Sequence, residues 1–319
     1  MSSPECVAQV SNILGESPIW SPLDQRLYWL DIMAPAVFSF CPSRGEIRQY
    51  ALPEPAGCLC LHQSEDADGT EGAAQDPQPR WLVAMQSGIH QTDSRFSSLQ
   101  RLLELEPDKP RNRPNDGKCD RQGRFWVSTM SAHERAPSGS LYCIDNLHRP
   151  RRVLHRLTVP NSLAWSPDGT TMYFADTQER RILMYDYDIE TGTPGNPRVF
   201  HSFDAQRGKP DGSTVDVDGC VWNAEVHAGR IVRYTPQGKI DRVIELPVSK
   251  VTSCAFGGPD MSTLFITSAR ENLTPEQLLD QPLAGALFAV TTGTAGIPET
   301  PARIQRFGPV IGPQPYSPT

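Results

Sequence analysis

Glu16 opens the stretch Glu-Ser-Pro-Ile-Trp20, Asn115 opens Asn-Asp-Gly-Lys-Cys119, Asn161 opens Asn-Ser-Leu-Ala-Trp165, and Asp211 opens Asp-Gly-Ser-Thr-Val215. Four stretches that recur in one register, each led by an oxygen-bearing side chain, place that side chain at one position of a repeating unit. If the repeats close around an axis, equivalent positions converge, and residues remote in sequence form one site. Glu16, Asn161 and Asp211 would then offer two carboxylates and an amide carbonyl. Such a hard, all-oxygen donor set suits Ca²⁺, Mg²⁺ or Mn²⁺, with Zn²⁺ less expected in the absence of His or Cys. Taken singly, each residue could equally cap a turn. The shared register favours the metal, because two carboxylates near one axis repel unless a cation or a proton lies between them.

Arg113-Pro-Asn115-Asp-Gly-Lys118 brings a fixed positive charge and an amide to the same entry position. The planar guanidinium offers forked donors that suit sugar hydroxyls or a carboxylate. The plainer reading is a surface turn in which Arg113 pairs with Asp116 or Asp108. His133 follows the expected strand Trp126–Met130 and could enter the same mouth, although a lone His is more often structural or solvated.

The elements that must position these residues follow from the repeat itself. Each copy reads as a short strand, a turn of Asp, Gly or Pro, and a second strand rich in aromatic and aliphatic residues. Two further copies, Gly57–Leu61 with Trp81–Ala84 and Thr252–Phe256 with Leu264–Thr267, are read as lacking the polar opener. The six copies begin near residues 16, 57, 115, 161, 211 and 252. That period accommodates one four-stranded antiparallel blade per copy, which predicts an all-β, six-bladed β-propeller around a central channel.

The repeats run nearly end to end, so one propeller domain is expected over 1–319, with its core at about 7–307. Ser64–Arg80 carries almost nothing to bury and is expected as an exposed loop between the first two strands of the second copy. Residues 308–319, rich in proline, read as a weakly ordered tail. Thr274-Pro-Glu-Gln277 is a capping box and starts the one well-marked helix, which Pro282 ends.

Composition excludes several partners. A net charge of −7, with no Lys/Arg run, argues against nucleic acid and anionic membranes. Arg149–Arg152 is the densest basic spot and is expected in a solvated loop. No apolar stretch approaches the ~18 residues of a membrane helix. Met1–Cys6 has neither a basic nor an apolar leader segment, and the eight cysteines show no zinc-type spacing. A cytoplasmic protein with reduced, buried thiols is expected, as a monomer or small homo-oligomer. No Gly-x-Ser-x-Gly elbow, zincin helix or phosphate loop is present.

The stretches Gly15–Trp20, Arg113–Lys118, Pro160–Trp165, Pro210–Gly212 and Thr252–Gly258, with the later Pro275–Leu278 and Gln281–Gly285, resemble the senescence marker protein/regucalcin/gluconolactonase family of six-bladed propellers. The likeness runs in order from about residue 7 to 292. It implies a lactonase with one divalent metal ion (Ca²⁺, Mn²⁺, Mg²⁺ or Zn²⁺) that acts on a small-molecule sugar lactone in carbohydrate metabolism. The family's metal ligands fall on Glu16, Asn161 and Asp211, with Asp211 also the general base. Its substrate-binding Arg and Asn fall on Arg113 and Asn115. A further acidic substrate contact falls on His133, a departure that bears on substrate choice. Related propellers also suggest a metal-dependent esterase or phosphotriesterase, or a non-catalytic calcium-binding propeller, as alternatives.

Overall fold

In a computed structural model, which describes residues 3–63, 78–133, 136–145, 150–204 and 208–304, the strands fall into six separate four-stranded antiparallel sheets. The innermost strands are Gly15–Ser21, Ala56–Leu61, Asn112–Cys119, Pro160–Trp165, Lys209–Val215 and Val251–Gly257, in blades 1 to 6. Each packs against the inner strands of both neighbouring blades, the sixth against the first. The sheets therefore form a closed six-bladed β-propeller. Blade 6 is completed from the other end of the chain: Glu5–Ala8 pairs antiparallel with Leu287–Thr291 as its outermost strand.

The core lies between blades. Trp29, Trp81, Trp126 and Trp222, all on second strands, are fully buried against neighbouring sheets. Burying aromatic faces between flat sheets is the main stabilisation available to such a ring. The indole N–H groups of Trp126 and Trp222 donate to Asp120 and Asp216 in the turns between first and second strands. The same two aspartates also accept backbone amides, Gln122 and Arg124 for Asp120, Asp218 and Cys220 for Asp216. The turn aspartates of the repeat are thus structural.

Residues 292–304 cross the end of the channel remote from Glu16 and Asp211. Val217 N–H bonds Ala295, Arg303 N–H bonds Gly123, and Glu299 meets Lys118 at 3.1 Å. The helix Pro275–Asp280 forms with both halves of its capping box, between strands Thr263–Ser268 and Leu287–Thr291. Arg151 and Arg152 open the strand Arg151–Leu157 instead of lying in a loop, and the Arg151 guanidinium donates to the carbonyls of Thr191 and Gly192. Most of the expected 64–80 loop and all of the 308–319 tail lie outside the described residues. All eight cysteines are unpaired. Among the described residues no helix is long and apolar enough to cross a membrane.

Candidate functional site

Every inner strand breaks register with its second strand at or just after the opener position. The shifts fall between Glu16 and Ile19, Ala56 and Cys58, Pro114 and Gly117, Asn161 and Ala164, Pro210 and Ser213, and Val251 and Ser253. A bulge of this kind re-aims a side chain out of the pleat. Ser17 and Ser162, which follow Glu16 and Asn161, take positive φ values of 52° and 62°. Just upstream, a carboxylate at the end of the second strand clamps the incoming backbone. Asp31 accepts Ile13 and Leu14 N–H, and Asp176 accepts Thr158 and Val159 N–H.

Around the axis the blades are joined at opener level either by hydrogen bonds or by glycine packing. Ser17 Oγ donates to Gly57 O at 3.3 Å, joining blades 1 and 2. A Cβ at Gly57 would lie 2.2 Å from Pro114 C, and one at Gly212 would lie 2.1 Å from Ser253 Oγ, so blades 2–3 and 5–6 meet only because these residues have none. Thr252 Oγ1 donates to Gly15 O, closing blade 6 on blade 1. Thr252 is itself the opener of the sixth copy, so that copy does carry an oxygen, spent on ring closure.

Blades 3 to 5 share one chain of side-chain hydrogen bonds. Arg113 Nη1 donates to Asn115 Oδ1 at 3.0 Å, and Asn115 Nδ2 donates to Asn161 Oδ1 at 3.0 Å. Asn161 Nδ2 donates to Thr177 Oγ1 at 2.8 Å, and Thr177 Oγ1 to Pro210 O at 2.8 Å. The guanidinium fixes the sense of both amides, because Asn115 must turn its oxygen toward Arg113 and its nitrogen toward Asn161. The surface-turn reading of Arg113 is not what the structure holds: Arg113 is buried and bonds Pro114 O and Asn115.

Glu16 and Asp211 face one another electrostatically. Burial first, then the charge of Asp116, pushes the Glu16 carboxyl up to about 8, against the Ser17 amide and Arg113. Burial, then Glu16 and Asp116, holds Asp211 well above the usual carboxylate range. A buried Asp211 whose ionisation is opposed by the half-buried Glu16 makes a floor where a cation would be favourable, and the Asn161 carbonyl adds a neutral oxygen. Among the described residues no three His, Cys, Asp or Glu side chains cluster as a metal site.

All six residues singled out in the sequence, Glu16, Arg113, Asn115, His133, Asn161 and Asp211, line one cavity of about 270 Å³. The cavity is tiered. The openers form its floor. Two residues before the openers in sequence, Leu14, Arg113, Val159, Lys209 and Lys250 form the next tier, Arg113 and Lys209 within the inner strands and the other three just ahead of them. Met33, His133, His227 and Glu271, from loops that follow second strands, make the rim. Lys209, Lys250, His227 and Glu271 were not found from the sequence. The signal for the two lysines was available, since they stand two places before the openers of the fifth and sixth copies, as Arg113 does in the third.

Comparison with known proteins gives one answer. Residues 14–270 match the family described as the SMP-30/Gluconolactonase/LRE-like region. The chain is 36% identical to a 6-deoxy-6-sulfogluconolactonase of Pseudomonas putida, over 92% of this chain and 97% of that protein. It is 33% identical to regucalcin of Sus scrofa, over 93% and 97%. Among solved structures, a calcium-binding protein, regucalcin, from Agrobacterium tumefaciens superposes with a TM-score of 0.86 at 30% identity, covering 95% of this chain and 98% of that one.

Proposed function

The chain belongs to the SMP-30/gluconolactonase/LRE-like family, and from that premise we propose that it hydrolyses a sugar lactone to the aldonic acid with the help of one divalent cation. The observation that carries this reading is the meeting of Glu16, Asn161 and Asp211 with Arg113 and Asn115 in one cavity. The P. putida relative is named for the lactone of a sulfonated gluconate, which supports a sugar lactone of similar size here. The regucalcin from A. tumefaciens is titled a calcium-binding protein, which supports a cation at the carboxylate floor.

Glu16, Asn161 and Asp211 would hold the ion, which when bound supplies Lewis-acid polarisation of the lactone carbonyl. Asp211 acts in its ionised form, a form that burial opposes and a neighbouring positive charge favours. It takes a proton from the attacking water as the water oxygen bonds to the carbonyl carbon. The ring C–O bond then breaks, and the same proton passes to the departing ring oxygen, which becomes a hydroxyl of the open-chain acid. Arg113 donates to ring substituents from a fixed place, because Asn115 and the Pro114 carbonyl hold its guanidinium. With substrate already oriented, attack starts near its reactive geometry. Asn115 has both ends of its amide engaged, so its first effect is to position Arg113 and Asn161, and its oxygen retains a second lone pair for a sugar hydroxyl. His133, exposed at the rim, contacts the outer part of the sugar.

A purely calcium-binding propeller has no use for a buried arginine held beside the carboxylates, and the mouth is too polar to favour hydrophobic esters. Asp211→Ala tests the assignment. Loss of general-base help lowers kcat by about 10²–10⁴. A folded, metal-binding Asp211→Ala protein with wild-type turnover would refute the base role.

A further inference from the structure

The cavity holds one carboxylate that the hydrolysis itself leaves unused. Glu271 lines it from the loop after the strand Thr263–Ser268. Its backbone is pinned on two sides. The Glu271 N–H donates to Ile13 O at 2.8 Å, just ahead of the strand that carries Glu16, and the Glu271 carbonyl accepts the Lys250 ammonium. The half-buried side chain therefore leaves from a fixed point. Among the described residues no hydrogen bond or ion pair reaches its carboxylate. In the same cavity Arg113 is buried and spends both Nη1 hydrogens, on the Pro114 carbonyl and on Asn115 Oδ1. A guanidinium has five N–H donors, and the other three of Arg113 make no hydrogen bond among the described residues. Burial pulls the Arg113 guanidinium below its ordinary range, against the charges of Glu271 first and then Glu16. Glu271 is thus near enough to act on Arg113 electrostatically without pairing with it, and both side chains face a space open to a ligand.

Resting on the lactonase reading, we infer that Glu271 is a specificity-determining residue: it accepts a hydrogen bond from one hydroxyl of the sugar lactone, the hydroxyl whose oxygen takes an N–H of Arg113. An ionised carboxylate only accepts and a guanidinium only donates, whereas a hydroxyl does both. Of the hydroxyl, carbonyl and anionic groups that a sugar acid can carry, only the hydroxyl satisfies the two side chains together. A carbonyl or an anionic group at this place has no proton to give, and would leave Glu271 facing a lone pair. The pair therefore selects for a hydroxyl at one carbon of the lactone, and a site built to bond a hydroxyl discriminates against an analogue that lacks it.

The test measures kcat/KM of the metal-loaded protein for the aldonolactone it turns over fastest and for each of that lactone's monodeoxy counterparts. Wild type is compared with Glu271→Ala and Glu271→Gln, each checked for folding by circular dichroism and for cation affinity by calorimetry. In wild type, one of the deoxygenations costs about tenfold or more, the size of one charge-assisted hydrogen bond. Glu271→Ala lowers kcat/KM for the parent lactone by a similar factor, mainly through KM. It also shrinks the penalty for that one deoxygenation several-fold and leaves the other penalties standing. Glu271→Gln, alike in shape but uncharged, falls between, and cation affinity is unchanged in both variants. Unchanged kinetics, a loss equal for every lactone, or a weakened cation affinity overturns the inference and leaves the lactonase reading standing. No turnover of any lactone by wild type removes both.

Discussion

At the scale of single residues, the site depends on how buried charges are compensated. Glu16 has a folded-state pKa near 8 against an ordinary 4.5, so in metal-free protein it stays protonated where the unfolded chain ionises. Below pH 4.5 both states are protonated and nothing is lost. As pH rises from 4.5 to 8 the unfolded state releases its proton first, and stability falls. Asp211, shifted the same way, steepens the trend. Thermal unfolding of chelated protein should therefore show a melting temperature that drops between about pH 5 and 8, and a saturating divalent cation should flatten that slope. A slope that is the same with and without cation would mean the ion does not sit between these carboxyls. These two residues, with Asn161, were legible in the sequence because all open the same repeat. The lysines were missed although they stand two places before openers, because a lone charge reads as solvated surface until the position of the channel is known.

At the scale of elements, the bulge at each opener turns a strand into a ligand carrier. Sequence periodicity revealed the strands and turns, and the capping box revealed the helix. The bulges could not be read, since a register shift depends on the partner strand. Ring stitching was hidden for a similar reason: Gly57 and Gly212 sit in the first-strand stretches with nothing in the sequence to mark their role, which is close approach between blades. Gly57→Ala would press a Cβ into the Pro114 backbone, which cannot swing aside. The expected cost is about 1–3 kcal/mol of stability, with a drop in activity because Asn115 adjoins the displaced segment. Denaturant unfolding and kcat/KM measured together check this. Asp31→Ala removes the acceptor for the backbone amides of Ile13, Leu14, Met33 and Ala34. It should destabilise by about 2–4 kcal/mol and weaken cation binding at Glu16, two residues beyond the clamp. Full stability in that variant would show that the clamp is dispensable.

At the scale of the molecule, convergence requires closure. The floor draws its oxygens from blades 1, 4 and 5, and blade 6, which joins blade 5 to blade 1, takes its outermost strand from the other end of the chain. Removing residues 1–8 should lower the melting temperature by several degrees and leave an exposed sheet edge prone to association. An unchanged melting temperature would show that the ring closes without that strand. The repeat spacing predicted six blades, and the structure bears this out. The source of blade 6's outermost strand was not evident, because Glu5–Ala8 is too short and irregular to read as a strand by itself.

The central claim, metal-assisted hydrolysis of a sugar lactone at the Glu16–Asn161–Asp211 floor, is met most directly by one assay. Chelated protein is given neutral and anionic aldonolactones, with proton release followed by a pH indicator while Ca²⁺, Mg²⁺, Mn²⁺ or Zn²⁺ is restored in turn. The account predicts a rate no faster than spontaneous hydrolysis in chelator, and turnover well above it with at least one cation. Turnover that is indifferent to chelation, or none on any lactone with cation demonstrably bound, would contradict it.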